Sequence, residues 1–200
     1  MIPEPVNLSR ERVLTAAESL FMEHGYAAVT LRDIANALGI RQASLYYHAP
    51  GGKEALFVTV VERALDRHQA GLEAAVAAAG PELRAQLSAA ADWLLSQPAM
   101  NFARMVQSDI AAVEGEARLR LTERARRALL LPLQGVFMPV VQRRGEGFTE
   151  AAILSGAFLS MIEMVHVLPA EFGGPGKPVM VAYLIDALLN GVLPTKSTPS

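Results

Sequence analysis

The side chains with the clearest chemistry in this sequence lie close together, between residues 41 and 48. Guanidinium, amide, hydroxyl, phenol and imidazole groups occur there around two apolar residues, Ala43 and Leu45. Such groups donate hydrogen bonds to phosphates, and a glutamine amide can pair with both polar atoms of an adenine edge in the major groove. The cluster therefore predicts a surface that reads DNA. Its polar members are Arg41, Gln42, Ser44, Tyr46, Tyr47 and His48.

Two short helices joined by a tight turn are predicted to position this cluster. Thr30 can cap the first helix, with Asp33 in the capping-box position. Gly39 permits the left-handed backbone of a sharp reversal, and the second helix is predicted over residues 42–48. This is the pattern of a helix-turn-helix, although helical bundles without nucleic acid contain similar corners. The apolar face of the first helix comprises Leu31, Ile34, Ala35 and Leu38.

The run from Val13 to Phe57 resembles the N-terminal domain of TetR-type (tetracycline-repressor-like) transcription regulators. The resemblance rests on the segments AA…LF…HGY, TLRDIA, ALGI, SLYYH and KEALF, in that order. In that family a three-helix DNA-reading domain precedes a helical body that binds a ligand and forms the dimer. The resemblance implies the same plan here, with most such proteins acting as repressors.

The resemblance also assigns roles to individual residues. It implies phosphate contacts for Thr30, Arg41, Tyr47, His48 and Lys53, and the last of these begins a predicted helix whose N-terminus already favours phosphate. It implies base contacts for Gln42, Ala43, Ser44 and Tyr46.

Two departures from the family pattern follow the recognition segment. Ala49 stands where the family usually has an aromatic or bulky apolar residue, and the PGG loop before Lys53 is one residue longer. Both departures bear on the geometry of the loop that follows the predicted DNA-reading helix.

Composition predicts a folded, cytoplasmic protein. The 200 residues are 52% hydrophobic and 19% charged, which is enough for a sizeable core, and there is no cysteine for disulfides or thiol chemistry. The polar first twelve residues predict no signal peptide, and interrupted apolar runs predict no membrane span.

The net charge of −2 does not by itself indicate a protein that binds nucleic acid. Residues 1–60 carry five basic and six acidic side chains. A DNA reader here must therefore depend on the arrangement of its charges and on two copies acting together.

Helical periodicity with no alternating stretch predicts an all-α chain. The predicted N-terminal helix-turn-helix domain spans residues 1–52, and a helical ligand-binding and dimerisation domain spans 53–200. Ser9 or Asn7 is expected to cap the first helix, and Pro132 and Pro139 are expected to kink or split theirs. The first helix is predicted to end near residue 24. Later helices are predicted to cover about 53–79, 82–96, 99–112, 116–143, 149–168 and 177–192.

The predicted body contains methionines and aromatic residues that could line a pocket for a small, largely apolar effector. A plain hydrophobic core is the alternative interpretation of these residues, and the family resemblance is what favours a pocket. Asp109, Glu163 and His166 are the candidate polar partners of a ligand. The pocket candidates are Trp93, Phe102, Met105, Asp109, Phe137, Phe158, Met161 and His166.

The helices at 149–168 and 177–192 are too apolar for each to have a polar face exposed to solvent. Pairing with their copies in a second chain would give a homodimer, and burial inside a monomer is the alternative. The arginine-rich run 118–127 is interpreted as a solvated face rather than a second nucleic-acid patch.

Nothing in the sequence predicts catalysis, a cofactor or a metal. The four histidines lack metal-ligand spacing, and GGPGK at residues 173–177 lacks the strand, the full spacing and the Ser/Thr of a phosphate loop. The sequence predicts a ligand-responsive transcription regulator. It is expected to act as a repressor that leaves its double-stranded DNA operator when an unknown effector binds. A helical scaffold or ligand-binding module without sequence-specific DNA binding is the alternative.

Overall fold

The computed structural model describes residues 10–168 and 174–192, in which the regular secondary structure consists of helices joined by turns and loops. The predicted all-α fold is thereby confirmed. The predicted caps at Asn7 and Ser9 lie outside the described residues, as does the first residue of the GGPGK segment. The helices are α1 (Arg10–His24), α2 (Leu31–Ala37), α3 (Gln42–His48), α4 (Gly52–Ala78), α5 (Leu83–Ser96), α6 (Phe102–Arg104), α7 (Gly115–Ala125), α8 (Leu131–Arg143), α9 (Phe148–Val167) and α10 (Lys177–Val192).

The described residues form two compact units. The first unit holds the residues up to Asp66 together with Ala103–Arg124, and the second holds Arg67–Phe102 and the residues from Ala125 onward. Helix α4 contributes its first half to one unit and its second half to the other. The domain boundary predicted after residue 52 remains a prediction about independent folding.

The helix-turn-helix is built by the local signals that the sequence contains. The Thr30 hydroxyl accepts a hydrogen bond from the Asp33 backbone N–H at 3.2 Å, and the Asp33 carboxylate accepts one from the Thr30 N–H at 2.8 Å. Gly39 has φ +68°, and the Ile40 N–H donates to the Ala35 carbonyl at 3.0 Å to complete a Schellman turn. The predicted capping box and glycine turn are therefore confirmed.

A small core holds these helices together in the first unit. Val13, Ala17 and Phe21 of α1 are buried, and they share that core with fully buried Ile34 of α2 and Leu45 of α3. Because both short helices are anchored by a residue with no exposed surface, their polar faces are fixed toward solvent.

The long helix predicted over residues 116–143 changes its type near Pro132 without a break. Helix α7 gives way to a π-helical turn at Arg126–Leu130, and α8 begins at Leu131 with Pro132 in its first turn. A proline ring clashes with the carbonyl four residues earlier, and the wider π-turn relieves that clash. Pro139 lies inside α8, which continues past it, so the expected split is not observed there.

The predicted helix at 99–112 is shorter and less regular than expected. Helix α6 begins only at Phe102 and passes at once into a π-helical turn at Met105–Asp109. The Ile110 N–H donates to the Met105 carbonyl at 2.8 Å to close that turn.

Helices α5, α8, α9 and α10 form the body of the second unit. Phe137 of α8 and Phe158 of α9 are fully buried at its centre. Helix α9 is long and apolar enough to cross a membrane by length and composition, with a mean hydropathy of 1.4 over its best window. Since a core helix of a soluble protein has the same properties, this is weak evidence for a membrane span.

A close approach between α4 and α5 in the second unit gives a stability prediction. A Cβ atom added at Gly71 would lie 1.9 Å from the Trp93 ring, so Gly71→Ala must displace that indole. We expect this substitution to lower the free energy of unfolding by about 2 kcal/mol, the usual cost of overpacking, as measured by urea denaturation.

Gly135 of α8 provides the matched control for Gly71→Ala. No heavy atom lies within 4 Å of a Cβ added there, so Gly135→Ala should raise the stability by about 0.5–1 kcal/mol through helix propensity alone. Equal effects of the two substitutions would contradict the packing of Trp93 over Gly71.

Candidate nucleic-acid interface and ligand cavity

Helix α3 turns one apolar side chain inward and most of its polar side chains outward. Leu45 has no exposed surface, whereas Tyr46 and Tyr47 are 49% and 85% exposed. His48 is half-buried, and its ring lies edge-on to that of Tyr47 with 5.2 Å between centroids. The residues predicted to contact bases, and the residues of α3 predicted to contact phosphates, lie together on one short helix that faces solvent. The other exposed positions are Arg41, Gln42, Ala43 and Ser44.

Thr30 is less free to contact a phosphate than the sequence suggests. Its hydroxyl donates to Asp33 Oδ2 at 2.6 Å while accepting the Asp33 backbone N–H. Hydrogen bonds donated by the Thr30 hydroxyl and the Thr30 backbone N–H lower the pKa of the Asp33 carboxyl, which keeps the acceptor charged. A phosphate would have to compete with that carboxylate for the only proton of the hydroxyl, so the Thr30 contact stays a prediction.

Lys53 is held at the start of α4 by an aromatic cluster. Its ammonium lies 4.3 Å from the centroid of the Tyr26 ring, in cation–π contact. The Tyr26 ring in turn packs against Phe57 at 4.7 Å and Phe21 at 6.2 Å. Burial and the nearby Glu54 carboxylate raise the pKa of the Tyr26 phenol, so the ring stays neutral beneath the lysine.

The unusual loop before Lys53 needs both of its glycines. Gly52 has φ +73° and donates its N–H to the Ala49 carbonyl at 3.0 Å. A Cβ at Gly51 would lie 2.4 Å from that of Ala55. Ala49 is small and buried. Ala49 and the longer PGG loop, the two departures from the family pattern, therefore belong to one closed turn that joins α3 to α4.

Asp109, a predicted pocket residue, instead secures the end of α1 in the first unit. Its carboxylate accepts the Tyr26 N–H at 2.8 Å and lies 3.4 Å from Arg104 Nε. Arg104 donates to the carbonyl of Glu23 at 3.0 Å and to that of Met22. Arg104 could not be predicted from sequence, because nothing local signals a partner about eighty positions away.

The arginine-rich face of α7 is engaged with acids of α4 in the first unit. Arg124 binds both carboxylate oxygens of Asp66, at 2.6 and 2.7 Å, and Arg120 Nε lies 3.1 Å from Glu62. Hydrogen bonding to Asp66 raises the pKa of the Arg124 guanidinium. The face therefore carries paired charges, which favours its interpretation as ordinary surface.

A cavity of about 40 Å³ lies within the second unit. Its polar lining consists of His68, Glu163 and His166. Of the predicted pocket residues, Phe102 and His166 line it. Its apolar lining comprises Leu94, Pro98, Met100, Phe102, Leu129, Leu159 and Ile162.

The other predicted pocket residues lie elsewhere in the fold. Phe137 and Phe158 are fully buried core, Trp93 covers Gly71, and Met161 is half-buried outside the cavity lining. Met105 is buried in the first unit. No contact with a ligand tests these assignments, and they remain predictions.

The three polar groups of the cavity lining are shifted toward their neutral forms. Burial, and secondarily Arg67, lowers the pKa of the 3% exposed His68 imidazole to about 4. Burial raises the pKa of Glu163, although the Phe102 N–H donates to its carboxylate and opposes the shift. Burial and the nearby Lys177 lower the pKa of His166. The sequence analysis gave His68 no role, and only its position on the inward face of α4 could have signalled one.

Comparisons with known proteins agree with this architecture. The family model of "Bacterial regulatory proteins, tetR family" matches residues 13–60. The transcriptional regulator LmrA of Bacillus subtilis is 47% identical over 53 residues, which are 26% of this chain and 28% of LmrA. The chain thus covers little more than a quarter of the length of this curated relative.

Solved structures match over nearly the full length. PfmR, a TetR family transcriptional regulator from Thermus thermophilus, matches with a TM-score of 0.65 and 29% identity, covering 92% of this chain and 97% of PfmR. The structure of AibR in complex with isovaleryl coenzyme A and operator DNA matches with a TM-score of 0.70. That match covers 89% of this chain and 96% of AibR, and its 19% identity shows the fold alone.

Proposed function

We propose that this chain, whose residues 13–60 form a DNA-binding domain of the tetR family, is a homodimeric, ligand-responsive transcriptional regulator of the cytoplasm. The observation that carries the proposal is helix α3, which presents Gln42, Ser44 and Tyr46 to solvent while Leu45 anchors it. In the proposed mechanism the protein is a repressor that leaves its operator when an effector occupies the cavity of the second unit. It has no catalytic role in this proposal.

The proposed target is a near-palindromic operator. A two-fold dimer places its two recognition helices in successive major grooves, with half-sites about 34–36 Å apart. Because residues 1–60 carry no excess of basic side chains, one copy should bind DNA poorly. Two copies would double the phosphate contacts and restore a useful affinity.

The proposed dimer surface is an uncharged stripe on α9. Its positions repeat every three or four residues and therefore lie on one face of the helix, where Ile153 and Val167 are 64% and 66% exposed. On the neighbouring helix α10, Val179 and Tyr183 are 58% and 74% exposed. Two copies of these faces would form a four-helix interface. The stripe consists of Ile153, Ala157, Ser160, Met164 and Val167.

The proposed route from effector to DNA follows the chain itself. Phe102 lines the cavity and bonds to Glu163, and two residues later Arg104 binds the carbonyls at the end of α1. Helix α4 likewise carries His68 of the cavity and Lys53 beside the recognition helix. An effector that shifts these segments would bind one state of the dimer better and change its affinity for DNA.

Gln42 and Lys53 should contribute to DNA binding in different ways. We expect Gln42→Ala or Tyr46→Ala to reduce discrimination between operator and mutated operator by about tenfold, since a base contact is worth about 1–3 kcal/mol. Lys53→Ala should weaken binding to all sequences and lower the slope of log affinity against log salt by about 0.9. The measurement is a salt-titrated gel shift with footprinting on the DNA that flanks its own coding region.

Thr122→Ala, on the exposed side of α7, is the control variant and should bind DNA as the parent does. Thermal melting of each variant must show an intact fold, particularly for Lys53→Ala, which loses its cation–π contact. Identical behaviour of the Gln42, Tyr46 and Lys53 variants would contradict the separation of base from phosphate contacts. No selective binding by the parent at low salt would contradict the proposed function.

A further inference from the structure

We propose that the cavity of the second unit takes a small, uncharged, largely apolar molecule with one hydroxyl group, of the phenol class, and that His68 binds the hydroxyl. The inference deepens the proposed function, on which the effector role of the cavity rests. It concerns the chemistry of the ligand, which can be measured without DNA.

His68 supplies the first argument, because it is a buried polar group with no partner within the described structure. The side chain is 3% exposed, and neither Nδ1 nor Nε2 has a hydrogen-bond partner there. Buried polar atoms are almost always paired, and leaving one unpaired is destabilising. The imidazole lines the cavity, so a ligand there is placed to complete its hydrogen bonds.

The protonation state of His68 selects the kind of polar group. A neutral imidazole has one nitrogen that donates and one that accepts, and burial keeps this imidazole neutral. A hydroxyl group both donates and accepts, so it can pair with either nitrogen. An ammonium group only donates, so it can pair with the acceptor nitrogen alone, and it would bring a charge into apolar surroundings.

Glu163 argues against an anionic ligand. Its carboxyl lines the same cavity and is already bonded to the Phe102 N–H. A ligand carboxylate would have to lose its water in apolar surroundings beside this acidic group, where a buried charge is costly and any charge on Glu163 repels it. A hydroxyl proton, in contrast, is a group that a carboxylate oxygen accepts.

The remaining walls set the size and polarity of the ligand. Seven of the ten lining residues are apolar. The volume of about 40 Å³ is below the roughly 150 Å³ of a cavity that binds benzene, so the lining must move to admit a ring and has no room for a coenzyme ester. Met100 is half-buried and unbranched, so it can supply that movement. A phenol combines a small apolar body with the hydroxyl that His68 requires.

The test compares four probes of one ring size with the full-length protein: phenol, toluene, benzoate and benzylamine. Isothermal titration calorimetry should show phenol binding about tenfold tighter than each of the others, because only phenol can hydrogen-bond to the imidazole without adding a charge. Nitrogen-15 spectra of the histidine side chains should show phenol shifting the His68 ring resonances.

Two variants assign the selectivity to their residues. His68→Leu should bind phenol and toluene equally, while His24→Leu, an exposed position in the first unit, should keep the preference. Glu163→Gln, which retains an oxygen for the Phe102 N–H, should bind benzoate about tenfold tighter than the parent does. Unchanged thermal melting of His68→Leu would confirm that the lost preference is not a lost fold.

Several outcomes would overturn the inference. Toluene binding as tightly as phenol, or benzylamine binding tightest, would assign the cavity to another class of ligand. No binding of any probe by a protein that still protects its operator would overturn the inference and leave the proposed function intact. Phenol binding through His68 by a protein that never binds DNA would support the inference and contradict the proposed function.

Discussion

Ile153→Glu is expected to convert the proposed dimer to a monomer and to lower the affinity for the proposed operator by at least about 100-fold. Ile153 lies on the uncharged stripe of α9 and is 64% exposed in the single chain. A two-fold interface brings the same patch of both copies together, so one substitution introduces two carboxylates that must lose water. Analytical ultracentrifugation would measure the mass, and a gel shift on the operator would measure the affinity.

Leu119→Glu is the matched control for Ile153→Glu. Leu119 is 72% exposed on α7, in the other unit, so the same type of substitution should change neither mass nor affinity. The affinity loss in Ile153→Glu should arise from losing the second DNA-reading head, since linked sites bind far more tightly than single ones. A dimer of unchanged mass in Ile153→Glu would contradict the proposed interface.

Helices α2 and α3 could be predicted from sequence because their signals are local. Thr30, Asp33 and Gly39 act within a few residues of themselves through a cap and a left-handed turn, and the bounds of α3 follow at once. Gly52 in the closed turn after α3 acts in the same way. Short-range backbone chemistry of this kind needs no knowledge of the tertiary fold.

The roles of Asp109 and His68 depended on contacts that the sequence does not contain. Asp109 was predicted to face a ligand, yet its partner is the Tyr26 N–H, 83 residues earlier. A polar residue on an apolar face signals only that some partner exists, and the fold decides whether that partner is backbone, charge or ligand. His68 gave an even weaker signal, because one imidazole on a long helix is compatible with burial or exposure.

Lowering the pH from about 6.5 to 4 is expected to cost the fold about 3 kcal/mol through His68 alone. Burial holds the pKa of the folded imidazole at about 4, below the ordinary value of 6.5. Between these values the unfolded chain binds a proton at this position and the folded chain does not. The free energy of unfolding therefore falls as the pH falls. The stabilising contribution of the neutral His68 is present in full only near neutral pH and above.

The comparison of the parent with His68→Leu isolates this contribution. His166, whose pKa is also lowered, adds a loss of the same sign, and Glu163, whose pKa is raised, acts in the opposite direction. Because both groups remain in the variant, the difference between the two curves from urea unfolding at pH 4 to 8 belongs to His68. If the free energy of unfolding varies with pH in the same way for the parent and His68→Leu, the imidazole is solvated in solution. The proposed preference of the cavity for phenol would then lose its main support.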